Sequence, residues 1–313
     1  MIRGYFIVFF LWYNFTSAQD VHYSQFDKTK QLLNPALIST QNDDYEMQLQ
    51  RRSQWSSVTT PFKTFSLSFN VKEMYKNLSL SATVLNDVAG DSHFSTDGIS
   101  ISLANRFKTK DNLLAVGIQS AFYQRSVNYD GLVFFENENL QNTKYTFFDI
   151  GLGIINHKIL DTERSLLIAL STFHLNKPNQ SLTSNKNVVL NPKYVFYTKY
   201  YSILNPKMNI YPGIYASSQD QDKELIIGSG ISYKLNDDFD LKSGIYSRVK
   251  DAIFITLGIQ KENLEVMVSY DVNTSSLATA SNSLGGFEVT IIYGWSIVKE
   301  TTQSIQKICP KYL

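Results

Sequence analysis

The groups with chemistry to offer in this 313-residue chain are four histidines, one cysteine and a scatter of carboxylates. The histidines are His22, His93, His157 and His174, and the cysteine is Cys309. No two histidines stand four apart and none neighbours the cysteine, so the spacing that would hold a metal ion is missing. No metal and no cofactor is expected. A lone cysteine forms no intramolecular disulfide. Gly228-Ser229-Gly230 lacks the G-x-S-x-G spacing of a nucleophile elbow and falls inside an alternating strand, where glycine relieves crowding. Neither a phosphate loop nor a dinucleotide fingerprint occurs. The chemistry expected is therefore non-covalent, with no catalytic residue. His174 follows a strand and precedes Leu175-Asn176-Lys177-Pro178, which suits a hydrogen-bonding group at a rim. Asp149 and Glu288 stand on the polar faces of strands. Carboxylates buried there need cations, and Arg51, Arg52, Arg106, Arg125 and Lys234 are available partners. Ion pairs are expected in preference to a conduction pathway.

The elements that must position these groups are strands. Charged residues make up 18%, low against about 25% for soluble proteins. Aromatics reach 13%, yet hydrophobic residues are only 43% and no later segment approaches the roughly 18 consecutive apolar residues of a membrane helix. What recurs is alternation with period two. Phe65, Leu67, Phe69 and Val71 interleave with Thr64, Ser66, Ser68 and Asn70, and Phe287, Val289, Ile291, Tyr293 and Trp295 with Glu288, Thr290 and Gly294. The polar face is mostly Ser, Thr and Gly. A soluble sandwich would place long charged residues there; small ones suit the filled lumen of an all-β transmembrane antiparallel barrel. About fourteen strands of spanning length are expected, starting near Tyr45, Phe62, Asn77, Phe94, Asn112, Lys144, Arg164, Leu190, Met208, Lys223, Phe239, Ala252, Leu264 and Gly285.

Connections after even-numbered strands are mostly tight and polar, such as Asn205-Pro206-Lys207 and Lys261-Glu262-Asn263. Those after odd-numbered strands are often longer, such as Val127 to Thr143 and Val272 to Leu284. This is the pattern of a Gram-negative outer-membrane barrel with both termini periplasmic. At the start of the chain, Arg3, the apolar run Tyr5 to Tyr13 and Thr16-Ser17-Ala18 read as a secretory signal over residues 1–18. Residues 19–44 then form a periplasmic or plugging segment, 45–297 the barrel, and 298–313 a short periplasmic tail. The net charge of +1 gives no basis for a nucleic-acid partner; the surrounding partner is outer-membrane lipid.

Several stretches resemble one family. They are Gln19-Asp20-Val21-His22-Tyr23-Ser24-Gln25-Phe26 with Leu33-Asn34-Pro35-Ala36, Arg51-Arg52-Ser53-Gln54-Trp55, and Leu170 to Asn179 with His174, Asn176 and Pro178. Tyr270-Asp271-Val272-Asn273-Thr274-Ser275-Ser276-Leu277 follows, then Ser281-Asn282, Gly285-Gly286-Phe287-Glu288 and the ending Cys309-Pro310. The family is PorP/SprF, outer-membrane proteins of the type IX secretion and gliding machinery of Bacteroidetes, and the resemblance runs from about Gln19 to Pro310. It implies a non-catalytic barrel that supports export or surface attachment of a large secreted protein bearing a type IX C-terminal domain, or that contacts periplasmic parts of the secretion machine. The residues expected to touch that partner are Asn273, Thr274, Ser275, Ser276 and Asn282. Cys309, on this resemblance, marks a periplasmic tail. The competing expectation is a passive porin or carrier of apolar solutes.

Overall fold

The computed structural model describes residues 21–54, 60–90, 94–129, 143–181, 188–275 and 284–297. Outside them lie the expected leader and tail, Trp55, His93, Ser276, Asn282 and Cys309, and most of the long connections after Val127 and Ser275. Fourteen strands form one sheet: β1 (Tyr45–Gln54), β2 (Phe62–Tyr75), β3 (Leu78–Ala89), β4 (Phe94–Lys108), β5 (Asn112–Val127), β6 (Thr143–Ile159), β7 (Arg164–Phe173), β8 (Lys193–Asn205), β9 (Met208–Gln219), β10 (Asp222–Lys234), β11 (Phe239–Arg248), β12 (Ala252–Lys261), β13 (Leu264–Asn273) and β14 (Leu284–Trp295). Each pairs antiparallel with its neighbours in sequence, and β1 closes on β14 from Tyr45 opposite Trp295 to Gln54 opposite Gly286. Closure of β1 on β14 gives every strand a neighbour on each side, which a hydrocarbon environment demands of the spanning wall.

The alternation in sequence becomes an inside-out distribution. Gln50, Ser66, Ser68, Asn70, Ser79, Ser81 and Thr290 are buried, while Phe65, Phe69, Ile99, Ile101 and Phe122 are exposed. In water this would be the wrong way round; in lipid the oily outer wall is solvated and the polar face is hidden in the lumen. At the tight-turn end of the wall, the Trp295 ring lies 5.5 Å from that of Tyr45, 5.6 Å from Tyr293 and 6.1 Å from Phe69. Such a cluster belongs at a membrane interface, where one part of the ring is oily and another wet.

One strand starts later than the pattern suggests. β8 begins at Lys193, not Leu190. Pro192 has no N–H for a ladder, and the Leu190 N–H donates at 2.9 Å to the Pro178 carbonyl instead. The stretch between β7 and β8 folds inward rather than continuing the wall: His174, Pro178 and Leu190 are all buried. The turn starts at His174, whose φ of 58° is unusual for a residue with a side chain.

Candidate functional site

Residues 21–44 lie inside the barrel. The short helix α1 (Lys30–Leu33) and the 3₁₀ turn Pro35–Thr40 join this segment to β1. Val21 sits among Leu85, Phe94, His174 and Leu190, at the end where the long connections are. Thr40 and Gln41 sit among Lys72, Arg106 and His157, at the tight-turn end. The segment therefore threads the lumen. Tyr45 opens β1 at the tight-turn end, and Val21 lies at the opposite end of the lumen.

Its first anchor is ionic. Arg52, Asp271 and Glu288 come from β1, β13 and β14, meet where the barrel closes, and are 1%, 1% and 0% exposed. Arg52 places Nη2 2.7 Å from Asp271 and Nη1 3.2 Å from Glu288. The carboxylates reach past it to the segment. Glu288 accepts the backbone N–H groups of Ser24 and Gln25 at 2.8 and 3.1 Å and the Gln50 amide at 2.6 Å. The Ser24 hydroxyl donates to Asp271 at 2.6 Å and accepts from Arg52 at 2.6 Å. A buried carboxylate is costly unless its lone pairs are satisfied. Here two backbone N–H groups that would otherwise be orphaned help to satisfy Glu288.

The segment also matches the two walls it touches. Phe26 enters an aromatic nest on one side, with ring centroids 6.0 Å from Tyr197, 5.3 Å from Tyr215 and 5.8 Å from Tyr246. On the polar side Tyr23 donates to Ser66 at 3.1 Å, and Gln31 donates to Asn70 at 2.6 Å and Ser81 at 2.9 Å. Lys28 pairs with Glu265 at 2.5 Å. Lys30 pairs with Glu46 at 2.6 Å.

Asn34-Pro35-Ala36 is the second anchor. The Asn34 side chain accepts from the Ala36 N–H at 2.8 Å, capping the 3₁₀ turn, and donates to the carbonyls of Leu170 and Ile154 at 2.7 and 3.2 Å. Ser171 donates to the Leu33 carbonyl at 2.6 Å. The turn approaches the wall at two glycines. A Cβ on Gly153 would stand 2.1 Å from Asn34 Oδ1, and one on Gly117 would stand 2.5 Å from the Ala36 nitrogen. These strand glycines are the space in which the turn sits. Beside Val21, toward the loop end, a cavity of about 90 Å³ remains, walled by Leu85, Phe94, Tyr123, Phe147, Phe173 and Leu190.

A sequence model described as type IX secretion system membrane protein PorP/SprF matches residues 15–293. The chain belongs to the PorP/SprF family. No curated protein sequence matches it. Among solved structures it is similar to the Ralstonia pickettii toluene transporter TbuX, with a TM-score of 0.52 at 10% identity, covering 84% of this chain and 91% of that one. It is also similar to the P. putida toluene transporter TodX, with a TM-score of 0.51 at 9% identity over 84% and 93%. At such identities the likeness is one of fold. This PorP/SprF protein is an outer-membrane β-barrel.

The structure gathers residues scattered through the PorP/SprF sequence into the two anchors. Asn34 and Pro35 form the second, and Arg52 and Asp271 the first. Gly286 packs its backbone near Arg52: a Cβ there would stand 3.2 Å from the guanidinium carbon. Phe287 is on the outer wall, 49% exposed. Of the expected ion pairs, that of Glu288 forms with Arg52, but Asp149 takes His174, with Nδ1 3.0 Å away, rather than Arg or Lys. Arg51 points outward because it precedes an inward residue on an alternating strand. Arg106 pairs with Glu73, Lys234 with Asp237, and Arg125 donates to Gln180. Asn176 ties the inward turn to β6, donating to the Phe148 carbonyl at 2.6 Å. Thr274 and Ser275 donate through their N–H groups to the Asp251 carbonyl at 2.8 and 3.1 Å, so both brace the neighbouring turn. Asn273 is the last residue of β13, opposite Ala252.

Ser24, Gln25, Gln31, Gly117 and Gly153 are anchoring residues that no motif in the sequence singles out. Ser24 and Gln25 stand in the quoted N-terminal stretch, and the glycines fall in phase with the polar face of their strands, but neither signal names a contact. Asn34→Ala is expected to remove the cap and both wall contacts and destabilise the segment by about 2–4 kcal/mol. Faster trypsin cleavage at Lys28 or Lys30 in detergent-solubilised protein would register this, and wild-type protection would refute it.

Proposed function

We propose that this PorP/SprF protein is a non-catalytic docking component that supports export or surface attachment of one large secreted protein, recognised through its type IX C-terminal domain. With the tight turns in the periplasm, the long connections and the mouth beside Val21 face outward. The observation that carries the reading is the segment 21–44 held across the lumen by two buried anchors, which favours a binding scaffold over a passive pore. The residues chosen for partner contact remain Asn273, Thr274, Ser275, Ser276 and Asn282. Thr274 and Ser275 also brace the turn at Asp251, so their substitution has to be scored against barrel folding. A role in gliding follows if the partner is an adhesin, and periplasmic secretion components are the alternative contacts at the tight-turn end.

The second reading, transport of a small apolar solute, is favoured by the cavity of about 90 Å³ and its aromatic walls. Affinity purification of the tagged full chain from detergent-solubilised outer membranes separates the two. A large secreted protein that co-purifies with the wild type, and is lost when its C-terminal domain is removed, is the expected result. A barrel that purifies alone and passes current in a planar bilayer would replace the docking reading with the transport one.

A further inference from the structure

β5 and β6 rise together to Val127 opposite Thr143, but the pairing of β6 with β7 ends at Leu152 opposite Thr172. Beyond it the β5–β6 hairpin stands above the rim, and one side of β6 has no strand against it among the described residues. The Ile150 N–H donates to the Asn176 side chain at 3.2 Å, its carbonyl accepts from the Leu175 N–H at 3.1 Å, and Asn176 donates to the Phe148 carbonyl. These contacts show which residues of β6 present their backbone to the open side: Ile150 and, by the two-residue period, Phe148, Thr146 and Lys144. Asn176 closes this side only up to the Phe148 carbonyl. Among the described residues, no strand pairs with the outward-turned backbone groups of Thr146 and Lys144.

The outer wall changes character at the same height. Phe122 and Phe148 are exposed and in ring contact at 5.1 Å. Above them the outward pairs become Gln124 with Thr146 and Ser126 with Lys144. An uncapped edge in hydrocarbon would leave polar groups unsatisfied; here the capped part lies at the aromatic pair and the open part lies beside polar residues. Soluble proteins usually blunt such an edge, because it pairs readily with another chain.

We propose that the open edge of β6 is a β-augmentation site, which takes an extended strand from the exported partner. The proposal rests on the docking reading given above. Alternating donors and acceptors along Lys144 and Thr146 match an extended backbone and no other secondary structure. On the inner face, Phe147 lines the cavity of about 90 Å³. The inward side chain of an added strand would lie beside Phe147. The partner strand is therefore expected to carry an apolar residue at the position facing that cavity, with backbone hydrogen bonds supplying affinity and the cavity supplying selection.

Thr146→Pro removes one open N–H and leaves the lumen untouched; Thr146→Ala keeps the N–H. With the full-length tagged chain in outer membranes, Thr146→Pro is expected to lower the co-purified secreted protein about tenfold, and Thr146→Ala to leave it unchanged. Heat-modifiable gel mobility verifies that each barrel is folded, and Lys144→Pro serves as the second variant. Photo-crosslinking from a benzoylphenylalanine at position 144 gives an independent readout, expected to join the barrel to that same secreted protein. Wild-type co-purification by folded proline variants would overturn the edge assignment while leaving the docking reading intact. A crosslink confined to the chain itself, or to a second copy, would overturn the partner as occupant. Absence of any secreted protein with the wild type would overturn both readings.

Discussion

Arg52→Ala is expected to destabilise the folded barrel by about 3–5 kcal/mol, because it leaves Asp271 and Glu288 as buried carboxylates with one cation fewer. The magnitude comes from burial, not from the count of ion pairs: all three residues are 1% exposed or less, where solvent screens little. Arg248 is the next nearest cation to Asp271 at 3.9 Å, and it is already engaged with Glu224 at 2.7 Å. Glu288 would keep its hydrogen bonds from Ser24, Gln25 and Gln50, but these carry no full positive charge. Urea unfolding of the detergent-solubilised barrel, followed by intrinsic fluorescence, measures the effect. Replacing Arg52, Asp271 and Glu288 together by apolar residues of similar size should cost less than Arg52→Ala alone, since no unpaired charge remains. If the single and triple variants unfold at the wild-type urea concentration, the cluster does not hold the seam.

Gly153→Val is expected to dislodge the segment while sparing the wall. Valine suits a strand better than glycine, so β6 itself should not suffer. The new Cβ would stand 2.1 Å from Asn34 Oδ1, closer than atoms can approach, so the Asn34-Pro35-Ala36 turn must move. Overpacking of this kind costs about 1–3 kcal/mol, which raises the population with a displaced turn about fivefold to a hundredfold. Two measurements follow it: trypsin cleavage at Lys28 or Lys30, and current through a planar bilayer. Gly117→Val presses on the same turn from β5, at 2.5 Å from the Ala36 nitrogen, and should act in the same direction. Intact protection and unchanged current in both variants would mean that the turn does not depend on these glycines.

The strands were legible because one face of each meets lipid and the other a packed lumen, and that contrast writes a period of two into Phe65 to Val71 and Phe287 to Trp295 whatever surrounds them. Tight turns such as Asn236-Asp237-Asp238 were legible because their local hydrogen bonds need only neighbours: Asp238 and Phe239 both donate to the Asn236 side chain. The resemblance to PorP/SprF was legible because its motifs survive as short runs. The start of β8 was not, since the inward fold at His174 depends on Asp149 from another strand.

The anchors belong to the tertiary structure alone. Arg52 and Glu288 are 236 positions apart and meet only because closure sets β1 beside β14. Nothing local distinguishes Arg52, which points inward, from Arg51, which points outward, until a register assigns one of them to the lumen. Residues 21–44 have no strand period to declare them, and their path is fixed by cavities that exist only once the wall has closed. The sequence by itself determined an outer-membrane barrel of fourteen strands, because each strand carries its own solvent contrast. The tertiary structure decided what fills the barrel and which charges face one another, because those contacts join residues that no local pattern relates.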